Sequence, residues 1–241
     1  MPSNLPRQSI SVFFPAYNDA RSIGKLVADA LEILPALTDD YEIIVVNDGS
    51  GDETANVLRD LQSKHKILRV VEHETNKGYG AALRSGFGAA TKDLVFYTDG
   101  DGQYDARELP ALFALLDEKT DVVNGFKLER ADKINRKIIG NFYNWLAHFL
   151  FSLPIRDVDC DFRLIRREFL CKIRLFSTSG SICVELVYKL RKAGARFAET
   201  GVNHYQRPFG KSQFFTVRRV VKTLLDFFSL WFKFIILGKN Q

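Results

Sequence analysis

Residues 98–104 read TDGDGQY, two short carboxylates at i and i+2 with a glycine after each. Like charges this close repel, so their coexistence points to a positive partner. Asp99 and Asp101 on a Gly-rich turn can face one crevice and hold a hard divalent cation; Mg²⁺ or Mn²⁺ bound by one or two carboxylates fills its other positions with water and substrate phosphates. A solvated Gly/Asp turn is the competing reading of the isolated pair, so the neighbouring stretches decide. In NDGSGDET (47–54), Asn47 and Asp48 can accept from a base or a ribose, whereas Asp52 and Thr54 read as helix caps. In NKGYGAALRSG (76–86), Gly78 and Gly80 let the backbone approach a ligand beside Asn76 and open a helix whose free N–H groups favour anions. No P-loop occurs, and the Gly-x-Gly follows the third expected strand rather than the first, which counts against a dinucleotide site. His65, His73, His148 and His204 share no metal-ligand spacing.

These stretches need a scaffold that brings them together. Hydrophobic runs predict strands at 10–14, 41–46, 68–72, 93–98 and 121–125, alternating with helices at 22–34 (stopped by Pro35), 53–61, 81–90 and 108–118. That alternation implies an α/β fold with a mainly parallel sheet and helices on both faces. Ligands of such sheets bind beyond the carboxyl ends of the strands, where PAYND, NDGSGDET, NKGYG and DGDGQ all fall. After Gly125 the alternation fades into a basic stretch, an aromatic segment at 138–155, a helix at 182–192 ended by Gly194 and a short strand at 195–200.

The chain has 241 residues, 46% of them hydrophobic, enough for one substantial domain. Its three cysteines have no CxxC spacing, so neither a disulfide framework nor a zinc site is expected, and a reducing compartment fits. The amino terminus has no apolar core of signal-peptide length, so secretion is not expected. A net charge of +5 is too small to argue for nucleic acid. The excess lies in the tail: from Gly201 onward seven Lys/Arg face Asp226 alone. Leu224–Leu237 is a 14-residue apolar run, short of the ~20 that span a bilayer. Upstream, Val217, Val220, Val221, Leu224, Leu225 and Phe228 fall on one helical face opposite Arg218, Arg219 and Lys222, which predicts an interfacial helix on an anionic membrane surface; docking on the chain's own domain or on another subunit is the alternative.

PAYND, VNDGSGDET, NKGYGAALRSGF, TDGDGQYD, DFRLIRR and HYQRPFGKSQF stand in the order shown by family 2 glycosyltransferases of the GT-A fold. The chain resembles that family over roughly residues 10–215, and within it the dolichol-phosphate mannose synthase and bacterial polyprenyl-phosphate group. The resemblance implies a Rossmann-like GT-A catalytic domain over 1–215, followed by an amphipathic membrane-interface helix over 216–241. It implies that Pro15, Tyr17, Asn18 and Asp19 (where the family has Glu) line the nucleotide, with Asp48 on the base. Asp99, Asp101 and Gln103 match the DxDxQ metal motif. Lys127 stands where the family has arginine, with Arg130 nearby; Arg163 matches the GFR segment, in which Asp161 replaces a glycine. Arg207, Gly210, Lys211 and Ser212 resemble a loop that closes over phosphates, with Gln213 in place of Lys.

The function implied is metal-dependent, inverting transfer from GDP-mannose or a UDP-sugar to a polyprenyl or dolichyl phosphate, by a peripheral enzyme on the cytoplasmic face of a membrane. Asp101, Arg207 and Lys211 would carry catalysis by placing positive charge on the leaving diphosphate. Lys127, Arg130, Arg163, Arg207 and Ser212 would bind the acceptor phosphate. Two alternatives stay open: a glycan hydroxyl acceptor, for which Asp157 or Asp159 would serve as base, and a non-catalytic membrane adaptor. Oligomeric state is not legible.

Overall fold

The computed structural model describes residues 8–129, 134–209 and 217–239. Its centre is a seven-stranded sheet built from β1 (Ile10–Ala16), β2 (Tyr41–Asn47), β3 (Leu68–Glu72), β4 (Leu94–Thr98), β5 (Val122–Lys127), β6 (Phe162–Arg166) and β7 (Phe197–Val202). Their order across the sheet is β3-β2-β1-β4-β6-β5-β7, parallel except for β6, which runs against both neighbours. Every residue of β1 and β4 is buried, as a strand covered on both faces requires.

Alternate side chains feed two cores. Phe13, Ile44, Val95 and Tyr97 point to one, Val12, Phe14, Ile43, Val45 and Phe96 to the other. The second is closed by α1 (Ile23–Leu37), α2 (Thr54–Lys64) and α4 (Leu109–Phe113). The first is closed by α3 (Tyr79–Ala89), α5 (Ile134–Phe151), α6 (Arg167–Cys171), α7 (Ile182–Lys192) and α8 (Val217–Trp231), which continues as a π-helical turn over Phe232–Ile236. Phe13 stacks on Tyr97 at 5.4 Å with Phe87 edge-on to both. Gly86 lets α3 descend on that stack, since a Cβ there would lie 2.4 Å from the Phe13 ring.

The structure differs from the sequence reading in four places. The first helix runs past Pro35 to Leu37, because the Thr38 N–H still reaches the Leu34 carbonyl. The helix expected at 108–118 is a 3-10 turn over Ala106–Glu108 followed by the short α4. Strand β6 was hidden by its arginines. The boundary at 215/216 is not a break in packing, because Phe227 and Leu230 of α8 are buried in the same core as Phe13 and Tyr97. Among the described residues no helix is long and apolar enough to cross a membrane.

Candidate active site

The carboxyl ends of β1, β2 and β4 bring their loops to one edge of the sheet, and backbone contacts fix the spacing. The Gly100 N–H donates to the Pro15 carbonyl at 3.1 Å, and a Cβ at Gly100 would sit 2.4 Å from that oxygen, so glycine is what lets the DGD turn lie on PAYND. Ser22 Oγ donates to the Gly100 carbonyl at 2.8 Å. Asn18 holds a positive φ of 57° while its N–H donates to Ser50 Oγ and its Oδ1 accepts from Gly51 N–H at 2.8 Å, tying the first loop to the second.

Asp101 and Asp19 meet one cation. Arg207 Nη2 donates to Asp19 Oδ1 at 2.8 Å and lies 3.9 Å from Asp101 Oδ2. Burial pushes the Asp19 carboxyl up, opposed by the Tyr17 N–H and Arg207. The buried Arg207 Nε–H finds no acceptor among the described residues, which leaves a donor for a ligand. Asp99 accepts from the Tyr79 hydroxyl at 2.7 Å. Its carboxyl is held well above the usual range by burial and then by the charges of Asp161 and Asp101. Lys127, whose field opposes that rise, donates to the Asp159 carbonyl at 2.7 Å and lies 3.4 Å from Asp157 Oδ2.

Other expected residues also hold the loops in place. Gln103 Nε2 donates to the Tyr205 carbonyl at 3.0 Å while the Tyr205 N–H donates to the Gln103 carbonyl at 2.8 Å, so this side chain staples the segment that carries Arg207. Asp48 accepts from His73 Nδ1 (2.6 Å) and the N–H of Lys77 on one oxygen, and from Asn76 Nδ2 and the N–H of Gly78 on the other. A carboxylate offers about four acceptor sites. With these four donors Asp48 fixes the NKG loop and has no acceptor site left for a base. His73 Nε2 continues to Ser85 Oγ at 2.8 Å, in the order of a hydrolase triad, but Ser85 sits inside α3 where neighbouring N–H groups are spent on the helix and cannot hold an oxyanion.

The expected phosphate contact of Arg163 is overturned. The side chain is 0% exposed and its donors go to Asn124 Oδ1, Tyr97 Oη, Asp161 Oδ1 and the Val158 carbonyl, so no phosphate reaches it. Arg130, Lys211 and Ser212, with Gly210 and Gln213, lie outside the described residues. Two contributors were missed. Tyr79 was read as part of a glycine loop. Arg219, one of several cations on the terminal helix, lies over the Tyr17 ring at 5.5 Å and 3.5 Å from Asn76 Oδ1, so α8 brings a positive charge to the PAYND and NKG loops. Only the proximity of HYQRPFGKSQF to the helix in sequence could have signalled it.

Known proteins match this arrangement. The family described as glycosyl transferase family 2 matches residues 11–174, which include the PAYND, NDGSGDET, NKGYG and DGDGQ loops. Among solved structures, glucosyl-3-phosphoglycerate synthase from Mycobacterium tuberculosis with Mn²⁺, uridine diphosphate and glucosyl-3-phosphoglycerate is similar at a TM-score of 0.69 and 21% identity, over 91% of this chain and 79% of that one. The same synthase with phosphoglyceric acid gives 0.68 and 19% over 94% and 85%, and with Mn²⁺ and UDP-glucose 0.67 and 21% over 91% and 78%. At that identity the structures speak for the fold. Together with the family match over most of the chain and the mostly parallel sheet carrying its polar loops at one edge, they lead to one statement: this chain belongs to glycosyl transferase family 2 and has a GT-A-like fold.

Proposed function

We propose that the chain transfers a sugar from a nucleotide sugar, with Mg²⁺ or Mn²⁺, to the phosphate of a polyprenyl lipid, working as a peripheral protein on the cytoplasmic leaflet. The donor chemistry supports the cation. Asp99 and Asp101 offer hard oxygens, and the described residues contain no group of three or more His, Cys, Asp or Glu that could hold a metal ion alone. An ion here would share its remaining positions with a diphosphate and water, as Mg²⁺ and Mn²⁺ do. When bound it supplies charge neutralisation to the leaving diphosphate. Arg207, 3.9 Å from Asp101, would supply more, and Arg219 would add charge beside Tyr17 and Asn76.

One observation carries the lipid acceptor: two neighbouring helices expose apolar stripes. On α5, Ile138, Phe142, Trp145 and Phe149 form an exposed ladder with ring centroids 5.6–5.9 Å apart, Phe149 being 71% exposed. On α8, Leu224, Leu225 and Phe228 are exposed, followed by Phe232 and Ile236. The helices meet through Tyr143 and Phe227 at 5.2 Å. Basic residues of α8 suit an anionic leaflet. A phosphate acceptor has a second pKa near ~6 and is already ionised at neutral pH, so in-line displacement with inversion needs no general base. That agrees with the placement of Asp157, which is buried against Lys127 and accepts from the Asp159 N–H, a poor position for deprotonating a glycan hydroxyl.

A second reading has its own support: the similar synthase structures hold phosphoglyceric acid, a small phosphorylated acceptor. Radiolabelled UDP-glucose and GDP-mannose with Mn²⁺, offered undecaprenyl phosphate or 3-phosphoglycerate, separate the two. The lipid reading expects chloroform-soluble label with undecaprenyl phosphate only; water-soluble product with 3-phosphoglycerate alone would overturn it.

A further inference from the structure

Behind Asp99 lies a buried polar chain that a donor site does not by itself require. The Tyr79 hydroxyl sits 2.7 Å from Asp99 Oδ1 and 2.8 Å from Asp161 Oδ2. Asp161 is buried, and its Oδ1 accepts from the Tyr97 hydroxyl at 3.1 Å and from Arg163 Nη1 at 3.2 Å, with Cys183 Sγ 3.3–3.4 Å from both oxygens. Each support stands on rigid backbone. Tyr97 is paired with Arg163 across β4 and β6, and Asn124, which accepts from Arg163, is paired with it across β5 and β6. Tyr79 opens α3, where the Gly80 N–H is fixed to the Thr178 carbonyl at 3.0 Å and Gly78 takes a φ of +96°. Three strands therefore converge, through Tyr97, Asn124 and Arg163, on Asp161, which in turn meets the Tyr79 phenol of α3 whose other neighbour is Asp99.

A carboxylate on a turn rotates about two side-chain bonds, and a ligand that must first be ordered binds more weakly than one already held. Partners that orient a metal ligand from behind are worth about 10–100-fold in metal affinity. Asp161 cannot itself face a substrate, because Tyr79, Tyr97, Arg163 and Cys183 already crowd its two oxygens. We infer that Asp161 and Tyr79 are positioning residues: Asp161 fixes Tyr79, and Tyr79 fixes the Asp99 carboxylate in the orientation that receives the divalent cation and the nucleotide. The inference rests on reading Asp99 and Asp101 as the cation site.

The test is calorimetric titration of Mn²⁺ into the full chain saturated with UDP, beside thermal melts, for wild type, Tyr79→Phe, Asp161→Asn and Asp101→Ala. Tyr79→Phe keeps the ring and loses only the hydroxyl, so it should bind Mn²⁺ about 10-fold or more weakly at an unchanged melting temperature. The Tyr79 hydroxyl has a single proton; Asp161→Asn can donate an amide N–H to the Tyr79 oxygen and leave that proton for Asp99, so it should bind Mn²⁺ more tightly than Tyr79→Phe. Wild-type Mn²⁺ affinity in Tyr79→Phe overturns the positioning role while leaving the cation site standing. So does a loss of affinity that merely follows a loss of melting temperature across both variants. Wild-type protein that binds no Mn²⁺ with UDP, or Asp101→Ala that binds it normally, overturns the cation reading and the inference with it.

Discussion

At the scale of single residues, the site divides into groups that face the substrate and groups that hold those in place. On the proposed reading Asp101 belongs to the first: it lies on a turn pinned to β1 and 3.9 Å from Arg207. Asp101→Ala should lower sugar transfer at least about 100-fold while far-UV circular dichroism and the thermal melt stay at wild-type values; transfer within a few-fold of wild type would refute the assignment. Asp48 belongs to the second group, and Gln103 also holds its neighbours through its amide nitrogen. Their neighbours in sequence carry the signal of a polar loop after a strand, and that much was legible. Their partners, Tyr205 for one and His73 to Gly78 for the other, lie 25 to 102 residues away in the chain, and no local pattern encodes such a pairing. Away from the site, Asp121 is gripped by Arg196 through Nε at 2.8 Å and Nη2 at 2.9 Å. Those bonds hold its carboxyl below the usual range and outweigh the burial that pushes it up. A depressed folded pKa gives stability that is complete above the ordinary Asp value and is lost as pH falls through the folded one. Asp121→Asn should cost about 1.5–3 kcal/mol in urea melts at pH 7, a gap that narrows as pH drops below about 4.

At the scale of elements, the parallel half of the sheet was readable because β1, β2 and β4 are near-continuous apolar runs ending in Gly and Asp. Strand β6 was not, because two of its five residues are arginines and a hydrophobic pattern treats both as surface. Register explains the difference: Arg163 lies opposite Tyr97 and Asn124 in the middle of the sheet, whereas Arg166, at the strand end, donates to the Thr120 and Asp117 carbonyls. An arginine that is 0% exposed persists only because each of its three nitrogens is answered, and removing it leaves Asp161 buried without its charge partner. Arg163→Met should therefore destabilise the chain by about 3–5 kcal/mol, read as a lower midpoint in denaturant. If Arg163 instead bound phosphate, the same variant would keep its stability and show only a raised KM for the acceptor.

At the scale of the whole molecule, the terminal helix joins two surfaces that the sequence read as separate. Its apolar residues divide into an inward stripe, Phe227, Leu230 and Phe234, set in the core, and an outward stripe through Leu225, Phe228 and Phe232. The sequence placed Leu225 and Phe228 on the apolar face correctly, but a helical wheel cannot tell which apolar stripe the domain will claim; Phe227 goes inward because Tyr143 and Phe151 of α5 meet it. The same helix lays Arg219 against Tyr17 and Asn76, and from Arg219 to Leu225, the start of the outward stripe, is about 9 Å along the helix. On the proposed reading, a lipid phosphate delivered at that stripe would arrive near Arg219, and a soluble substrate would gain nothing from the exposed ladder on α5. Replacing Leu225, 67% exposed, and Phe232, 51% exposed, by Glu removes two apolar groups and adds two charges while leaving the Phe227–Phe228 ring contact in place. Burying such side chains is worth about 1.5–3 kcal/mol each. The double variant should lose affinity for phosphatidylglycerol vesicles at least about 100-fold in sedimentation, with an unchanged thermal melt and unchanged binding of UDP with Mn²⁺. Wild-type protein that stays in the supernatant at low salt would remove the membrane from the mechanism and leave the small phosphorylated acceptor as the reading to pursue.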